Sequence, residues 1–283
     1  MNTASLEIKA SQTAPEALST YAGLLSAVFG AAPKFTPGAI AWRYRDNPAG
    51  HVVGADAWSG DTLAAHYVTC PLRAKVEGQI LQGLLSLNTA THPDFQGQGL
   101  FTRLARRTYE QAAELGHDFV IGVANAQSTP GFLGRLGFQH VGRLEAGLLA
   151  RLPRQFAPTD LQFCGLWDET SLGWRLANPA TAYRTARRGT LTTVYADTHL
   201  PGVRCAGFVE GPEAPGTAPP GLGLNLFLGL DPRIPLGRLG FLPLPDRFRP
   251  SPLNLIYRPL SGRAPRSLDS RSTVISFLDF DPY

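Results

Sequence analysis

From Thr91 to Leu104 the chain reads "THPDFQGQGLFTRL": an apolar run broken by proline, two glycines one residue apart, then a helical pattern. A glycine turn at a helix start gathers backbone N–H groups and the positive end of the helix dipole, which suits an anion. Glycine matters there because a side chain would keep the backbone from its ligand. Two better-specified anion sites do not fit. The P-loop pattern GxxxxGK[ST] needs a lysine, and the region has none. The dinucleotide pattern GxGxxG fails because "GQGLFT" puts Thr102 at the third glycine and no acidic residue closes a following strand. What remains is a turn whose consecutive amides converge on a pyrophosphate.

Few other side chains suggest chemistry. His92 and Asp94 stand beside the turn, although "HPD" also ends a strand. His66 and Tyr67 on a preceding strand, and Tyr44 beside Trp42, are candidates to face an acceptor. Tyr257 and Tyr283 reach the same place if the two halves of the chain pack face to face. Cys70, Cys164 and Cys205 form no CxxC and lie near no histidine cluster, so neither a disulfide framework nor a metal site is expected.

Composition bounds the class. The 283 residues, 43% hydrophobic and 17% charged, suffice for two modest domains. The net charge of +4 comes mostly from dispersed arginine without a dense basic stripe, which argues against a nucleic-acid partner. The N-terminus lacks a signal-peptide pattern, and no segment is apolar enough to span a bilayer, so a cytoplasmic protein with no membrane partner is expected.

The elements that must position the turn follow from periodicity. "SQTAPEALSTYAGLLSAVFG" has a helical stripe closed by Gly30, and a second short helix begins with Thr36 as cap and Pro37 at its first position. "HVVGADAW", "TLAAHYVTC" and "AKVEGQILQGLLSLNTATH" read as strands. A long helix runs from Leu100 to a stop at Gly116, and "DFVIGVAN" reads as a buried strand of the parallel kind. "STPGFLGRLGF" is a short helix, and "HVGRLEAGLLARL" returns as strand.

The second half echoes the first. "WRYRDNP" at Trp42 is answered by "WRLANP" at Trp174, and "GLLSLNTATHP" by "GLGLNLFLGLDP". This order suggests a duplicated unit. The second copy has no room for a glycine turn and helix after Pro232, and "EGPEAPGTAPPG" reads as a loop insertion.

"QGQGLF", Gln96 to Phe101, resembles motif A of the GNAT acetyltransferase superfamily, Q/R-x-x-G-x-G/A, with Phe101 in place of the last small residue. "HPDFQGQGLFTRL" before a long helix, "VIGVAN" as the next strand and "GFLGRLGFQHVG" resemble the family in order and spacing, over roughly residues 14–152. The resemblance implies an α/β (α+β) fold, the GNAT acyl-CoA N-acyltransferase fold with a mixed central sheet. The expected division is a GNAT domain over 1–153 and a smaller degenerate GNAT-like domain over 154–283, lacking the CoA-binding turn and helix.

The resemblance also implies acetyl-CoA as cosubstrate, no metal, and a small amine acceptor, in a monomer or homodimer. Gln96, Gly97, Gln98, Gly99, Leu100 and Phe101 would form the pyrophosphate turn. The backbone of Asn88, Thr89, Ala90 and Thr91 would pair with the pantetheine arm as an added strand would, and Asn125 would hydrogen-bond that arm or cap a helix. Arg103 and Arg106 either reach the adenosine phosphates or form a solvated face. Two groups customary in the family are missing: Leu133 stands where a thiolate-protonating tyrosine is common, and Leu85 where a carboxylate base is. His92, Asp94 and Tyr44 remain as catalytic candidates. The leading reading is acetyl transfer to a primary amine of a small molecule or amino sugar by direct attack. The alternatives are an aminoacyl or longer-acyl transferase, or a non-catalytic acyl-CoA sensor favoured by the missing acid and base.

Overall fold

In a computed structural model of the chain, the residues described are 6–211, 221, 223–245, 247, 249 and 252–282. Helix α1 (Pro15–Phe29) buries Leu18, Tyr21, Leu24 and Leu25 and ends at Gly30, whose φ of 87° suits glycine. Helix α2 (Pro37–Tyr44) begins where Thr36 accepts a hydrogen bond from the Ala39 N–H at 3.3 Å, with Pro37 at its first position.

The strands β1 (Glu7–Ala10), β2 (Val53–Ser59), β3 (Thr62–Val76) and β4 (Gln79–Thr91) pair antiparallel in sequence order. The stretch from Ala74 to His92 read as one strand is therefore the end of β3, a turn at Glu77–Gly78, and β4. Both turn residues have positive φ, 47° and 82°, as a two-residue hairpin requires. β5 (Phe119–Ala124) lies parallel to β4, and the crossover between them is the long helix α3 (Leu100–Glu114). α3 buries Leu100, Leu104, Ala105, Tyr109 and Ala112 in a cluster with residues of β2 to β5. Each such large side chain contributes ~1.5–3 kcal/mol by leaving water, which holds the glycine turn at a fixed height over the sheet.

After α4 (Thr129–Arg135), the run read as a single returning strand is two: β6 (Gln139–Arg143) and β7 (Glu145–Leu149), broken at Leu144. The break sends them to distant parts of one sheet, β6 to β14 and β7 to β12 and β13. The later strands are β8 (Phe163–Gly165), β9 (Tyr183–Arg188), β10 (Leu191–Asp197), β11 (Val203–Glu210), β12 (Leu224–Leu230), β13 (Phe241–Pro243), β14 (Asn254–Pro259) and β15 (Thr273–Ser276). Two helices complete the set, α5 (Glu169–Leu176) before β9 and α6 (Phe277–Phe280) after β15. β14 inserts between β5 and β6, antiparallel to both, while β7 inserts between β12 and β13. Each half thus lends a strand to the other. β8 and β15 bridge β3 to β12, so the main path runs β6-β14-β5-β4-β3-β8-β15-β12-β11-β10-β9.

The halves also follow similar courses. α5, β9, β10 and β11 succeed one another as α2, β2, β3 and β4 do, and β12 is parallel to β11 as β5 is to β4. On this topology the counterpart of "GLLSLNTATHP" in β4 is β11, not the β12 stretch matched to it by composition. The connection that takes the place of α3 is 211–223, and of the expected insertion there only 211, 221 and 223 lie within the described residues.

Candidate active site

Gly97 and Gly99 have φ of 77° and 69°, and an added Cβ at either would meet nothing within 4 Å. The turn is therefore glycine for its conformation and for its open face. Gly99 caps α3, and no side chain bonds the helix's first amides, which stay available to an anion. Thr102 Oγ1, buried in the first turn, has no hydrogen-bond partner. These features fit the pyrophosphate of an acyl-CoA.

Below the turn the sheet opens. The last parallel pair between β4 and β5 is Ser86↔Gly122, after which the strands separate. On the other side of β4 the pairing with β3 passes from Val68↔Leu87 to His66↔Ala90, a bulge containing Asn88 with φ of 48°. A cavity of about 1140 Å³ fills the opening, lined by Ser86, Leu87, Asn88, Thr89, Phe101, Gly122 to Asn125, Gly131 and Gly134, with Lys34, Arg43 and Arg135 as its cations. Of the residues expected to hold the cosubstrate, Asn88, Thr89, Phe101 and Asn125 thus line one cavity. Ala90 and Leu100 are instead buried in two separate core clusters, and Gln96 to Gly99 form the turn at the start of α3. Asn125 Oδ1 accepts from the Gln127 and Ser128 N–H groups at 3.0 and 2.9 Å and from Ser128 Oγ, so its oxygen caps the approach to α4. Arg103 is exposed, and Arg106 donates to the Arg135 carbonyl.

A second cavity of about 220 Å³ lies between the halves. It shares Arg43, Leu85, Leu87, Phe280 and Asp281 with the first, so the two meet at one mouth. Trp42 and Trp174, the echoed tryptophans, form its brace. Their rings stack at 4.4 Å, and each indole N–H donates to the other's carbonyl, at 3.1 and 3.2 Å. Asp281, 3% exposed, accepts from Arg43 at 2.5 Å, Arg175 at 3.1 Å, Asn178 at 2.7 Å and Tyr183 at 2.7 Å. Burial, then the Asp281 charge, pushes the Tyr183 hydroxyl far above its ordinary range, so it donates rather than ionises.

The catalytic candidates from the sequence fall elsewhere. His92 caps a short turn through Nδ1, accepting from the Asp94 N–H at 3.3 Å; neither lines either cavity. Tyr44 is fully buried: its hydroxyl pairs with His66 Nε2 at 3.1 Å and accepts from Asn88 Nδ2 at 3.1 Å, while His66 Nδ1 bonds Asp56 at 2.6 Å. Burial raises the Tyr44 hydroxyl well above its usual range. Tyr44 therefore supports the bulge at Asn88 and does not face the acceptor side. Trp42 stacks on Trp174, and Tyr257 is buried with its hydroxyl on the Pro265 carbonyl. Tyr67 bonds Ser86 and Tyr109 inside the core. Burial pushes the Cys70 thiol up to about 12 and Cys164 to about 11, which removes them as thiolates. Leu133 packs on the core and Leu85 lines the mouth.

One residue escaped sequence reasoning. Asp279, in α6, lines the smaller cavity, and burial raises its carboxyl above the usual range. Nothing in "FLDFDPY" marks it, since only folding brings the end of the chain to the mouth.

A family model for an acetyltransferase (GNAT) domain matches residues 9–141. No curated protein matches the chain. Among solved structures, a GCN5-related N-acetyltransferase from Kribbella flavida is 12% identical with a TM-score of 0.63, covering 92% of this chain and 72% of that one. A probable N-acyltransferase from Enterococcus faecalis V583 is 8% identical with a TM-score of 0.61, over 90% and 73%. Eis1 from Mycobacterium abscessus is 10% identical with a TM-score of 0.58, over 91% and 74%. At these identities the likeness concerns the fold, and it runs through both halves. Among the described residues there is no cluster able to hold a metal, and no helix is long and apolar enough to cross a membrane.

Proposed function

We propose that the protein is a GNAT acyltransferase, the family whose domain model matches residues 9–141, and that it acetylates a primary amine of a small molecule or amino sugar. Acetyl-CoA is the donor and the amine attacks its thioester directly. The observation that carries this reading is the meeting of two cavities at Arg43, Leu85, Leu87, Phe280 and Asp281. The larger cavity opens between β4 and β5, and Phe101 of α3, just after the glycine turn, lines it; the smaller has room for a compact acceptor. A site between two halves of a chain is a common place for a small ligand.

The chain's own residues would divide the work as follows. Amides of Gly97 to Leu100 and the α3 dipole hold the pyrophosphate. The edge of β4 from Asn88 to Thr91 hydrogen-bonds the pantetheine arm and fixes the thioester at the mouth. The apolar walls at Leu85, Leu87 and Phe280 exclude water from it. Holding amine and thioester together supplies much of the rate, since well-oriented pairs gain ~7–11 kcal/mol over free reactants. With leucine at positions 85 and 133, neither supplies an acid or a base.

We also propose that the second half is a GNAT-like unit that binds no CoA. On one side β12 pairs with β7; on the other it pairs with β11 at its start and with β15 at Gly229↔Ser276. β15 and α6 therefore occupy the opening that corresponds to the one between β4 and β5. In support, a Cβ on Gly207 of β11 would meet Leu278 and Phe277 of α6 at 2.8 and 2.9 Å, so α6 packs closely on β11.

The test is acceptor-dependent release of free CoA from acetyl-CoA across a panel of small amines. Turnover with at least one amine supports the enzyme reading. Tight acetyl-CoA binding with no release for any amine sinks it in favour of a sensor.

A further inference from the structure

We propose that Asp279 Oδ1 takes the proton from the acceptor's ammonium group, and that the acceptor is a compact amine with an apolar, aromatic-sized body. This rests on the acyltransferase reading above and adds its missing base and its acceptor class.

Geometry singles out this oxygen. Asp279 Oδ2 accepts from the Ser276 N–H at 2.7 Å and Ser276 Oγ at 3.1 Å, closing the cap of α6. Among the described residues Oδ1 has no hydrogen-bond partner. It lies 2.7 Å from where a Cβ on Gly165 would stand, so the glycine leaves the carboxylate its space. The other carboxylates of the cavity wall are engaged at both oxygens. Asp281 is held by Arg43, Arg175, Asn178 and Tyr183, and Asp168 by Ser171 and Arg73.

The charged and titratable groups around Asp279 come from several elements. Arg175 of α5 favours its anion, as do the Ser276 bonds, while Asp231 after β12 opposes it; Cys164 of β8 is neutral. Burial outweighs them and raises the carboxyl above its usual range, which makes it a better proton acceptor. The rest of the wall is apolar, with Leu72, Phe163, Trp167, Trp174, Ile275 and Phe280. A volume of about 220 Å³ is smaller than the usual drug-sized pocket and suits one ring with a short arm.

In the step, one N–H bond of the ammonium breaks and its proton passes to Oδ1. The freed nitrogen pair attacks the thioester carbon, and the C–S bond breaks with its pair on sulfur. The remaining excess proton on nitrogen ends on that sulfur, and Asp279 later returns its own to solvent.

Asp279→Asn keeps an oxygen for the Ser276 cap and loses the base. With acetyl-CoA and 2-phenylethylamine, kcat is expected to fall ~10²-fold or more, and the acid limb of the wild-type pH profile to disappear. Acetyl-CoA affinity by calorimetry should not change. With phenylhydrazine, whose nitrogen is already neutral at pH 7, the loss should shrink to about tenfold or less. Retention of kcat and the acid limb, or an equal loss with both amines, overturns Asp279 as base. Wild-type turnover of glucosamine but not 2-phenylethylamine overturns the acceptor class. Failure of the wild type with every amine overturns the class and the acyltransferase reading together.

Discussion

At the scale of single residues, two side-chain positions separate binding from chemistry. Gly99 needs φ of 69°, a region a β-branched residue enters only with strain, and in the proposed function it faces the pyrophosphate. Acetyl-CoA at about 100 times its Kd should stabilise the wild type by ~2.7 kcal/mol, a rise in Tm readable by differential scanning fluorimetry. Gly99→Val should abolish that rise while the unliganded protein still melts cooperatively; an equal rise with ATP would mean the turn is not specific for CoA. Asp279 gives a second, independent readout. Its folded-state proton affinity is raised, so the folded chain holds more protons than the unfolded one as pH rises from the ordinary carboxylate range. Stability from this group is complete below the unfolded pKa and is lost as pH rises through the folded one. Asp279→Asn carries no charge at any pH. Its Tm advantage over the wild type should therefore be larger at about pH 8 than at about pH 4, and a constant difference would contradict the raised value.

At the scale of elements, the exchanged strands decide what can be cut. A boundary at 153 makes a fragment of residues 1–152 look independent, able to bind acetyl-CoA alone. The fragment lacks β14, which lies between β5 and β6, and β6 has no other ladder among the described strands. Without it β5 presents a bare apolar edge, and Leu255, Ile256 and Tyr257, all fully buried, leave the core. We expect the fragment to show no cooperative melt by circular dichroism, and co-expression with 153–283 to restore one. A soluble fragment that melts cooperatively and binds acetyl-CoA would show that β14 is dispensable. The echo of tryptophan motifs is visible in the sequence because both halves place a tryptophan, an arginine and an asparagine in one short helix and turn. Which strands correspond was not visible, because apolar strands of similar composition match one another in any register.

At the scale of the whole molecule, the end of the chain joins the halves. Asp281 ties Arg43 of α2 to Arg175 of α5 and to Asn178 and Tyr183, all within the interface. Removing one partner of a buried ion pair leaves charge without compensation, at a cost of ~3–5 kcal/mol. Asp281→Ala should lose stability of that order in guanidinium unfolding, and a loss below ~1 kcal/mol would show that the network is not what holds the halves together. If the second half binds no CoA, as proposed, calorimetry should also find one acetyl-CoA per chain; a second site would overturn the division of labour between the halves.

What the sequence determined by itself was the positive-φ glycine turn, the helix after it and the likeness to the GNAT family. These depend on local rules: positive φ at glycine, helical periodicity, and spacing within a few residues. Tertiary structure decided the rest. It buried Tyr44 behind Asn88, left His92 and Asp94 off both cavities, and split one apparent strand into β6 and β7, which pair in distant parts of the sheet. It also brought Asp279 from the other end of the chain into the wall of the smaller cavity. Burial and proximity across more than a hundred residues leave no periodic trace, so a carboxylate's role can be read only once the fold has set what surrounds it.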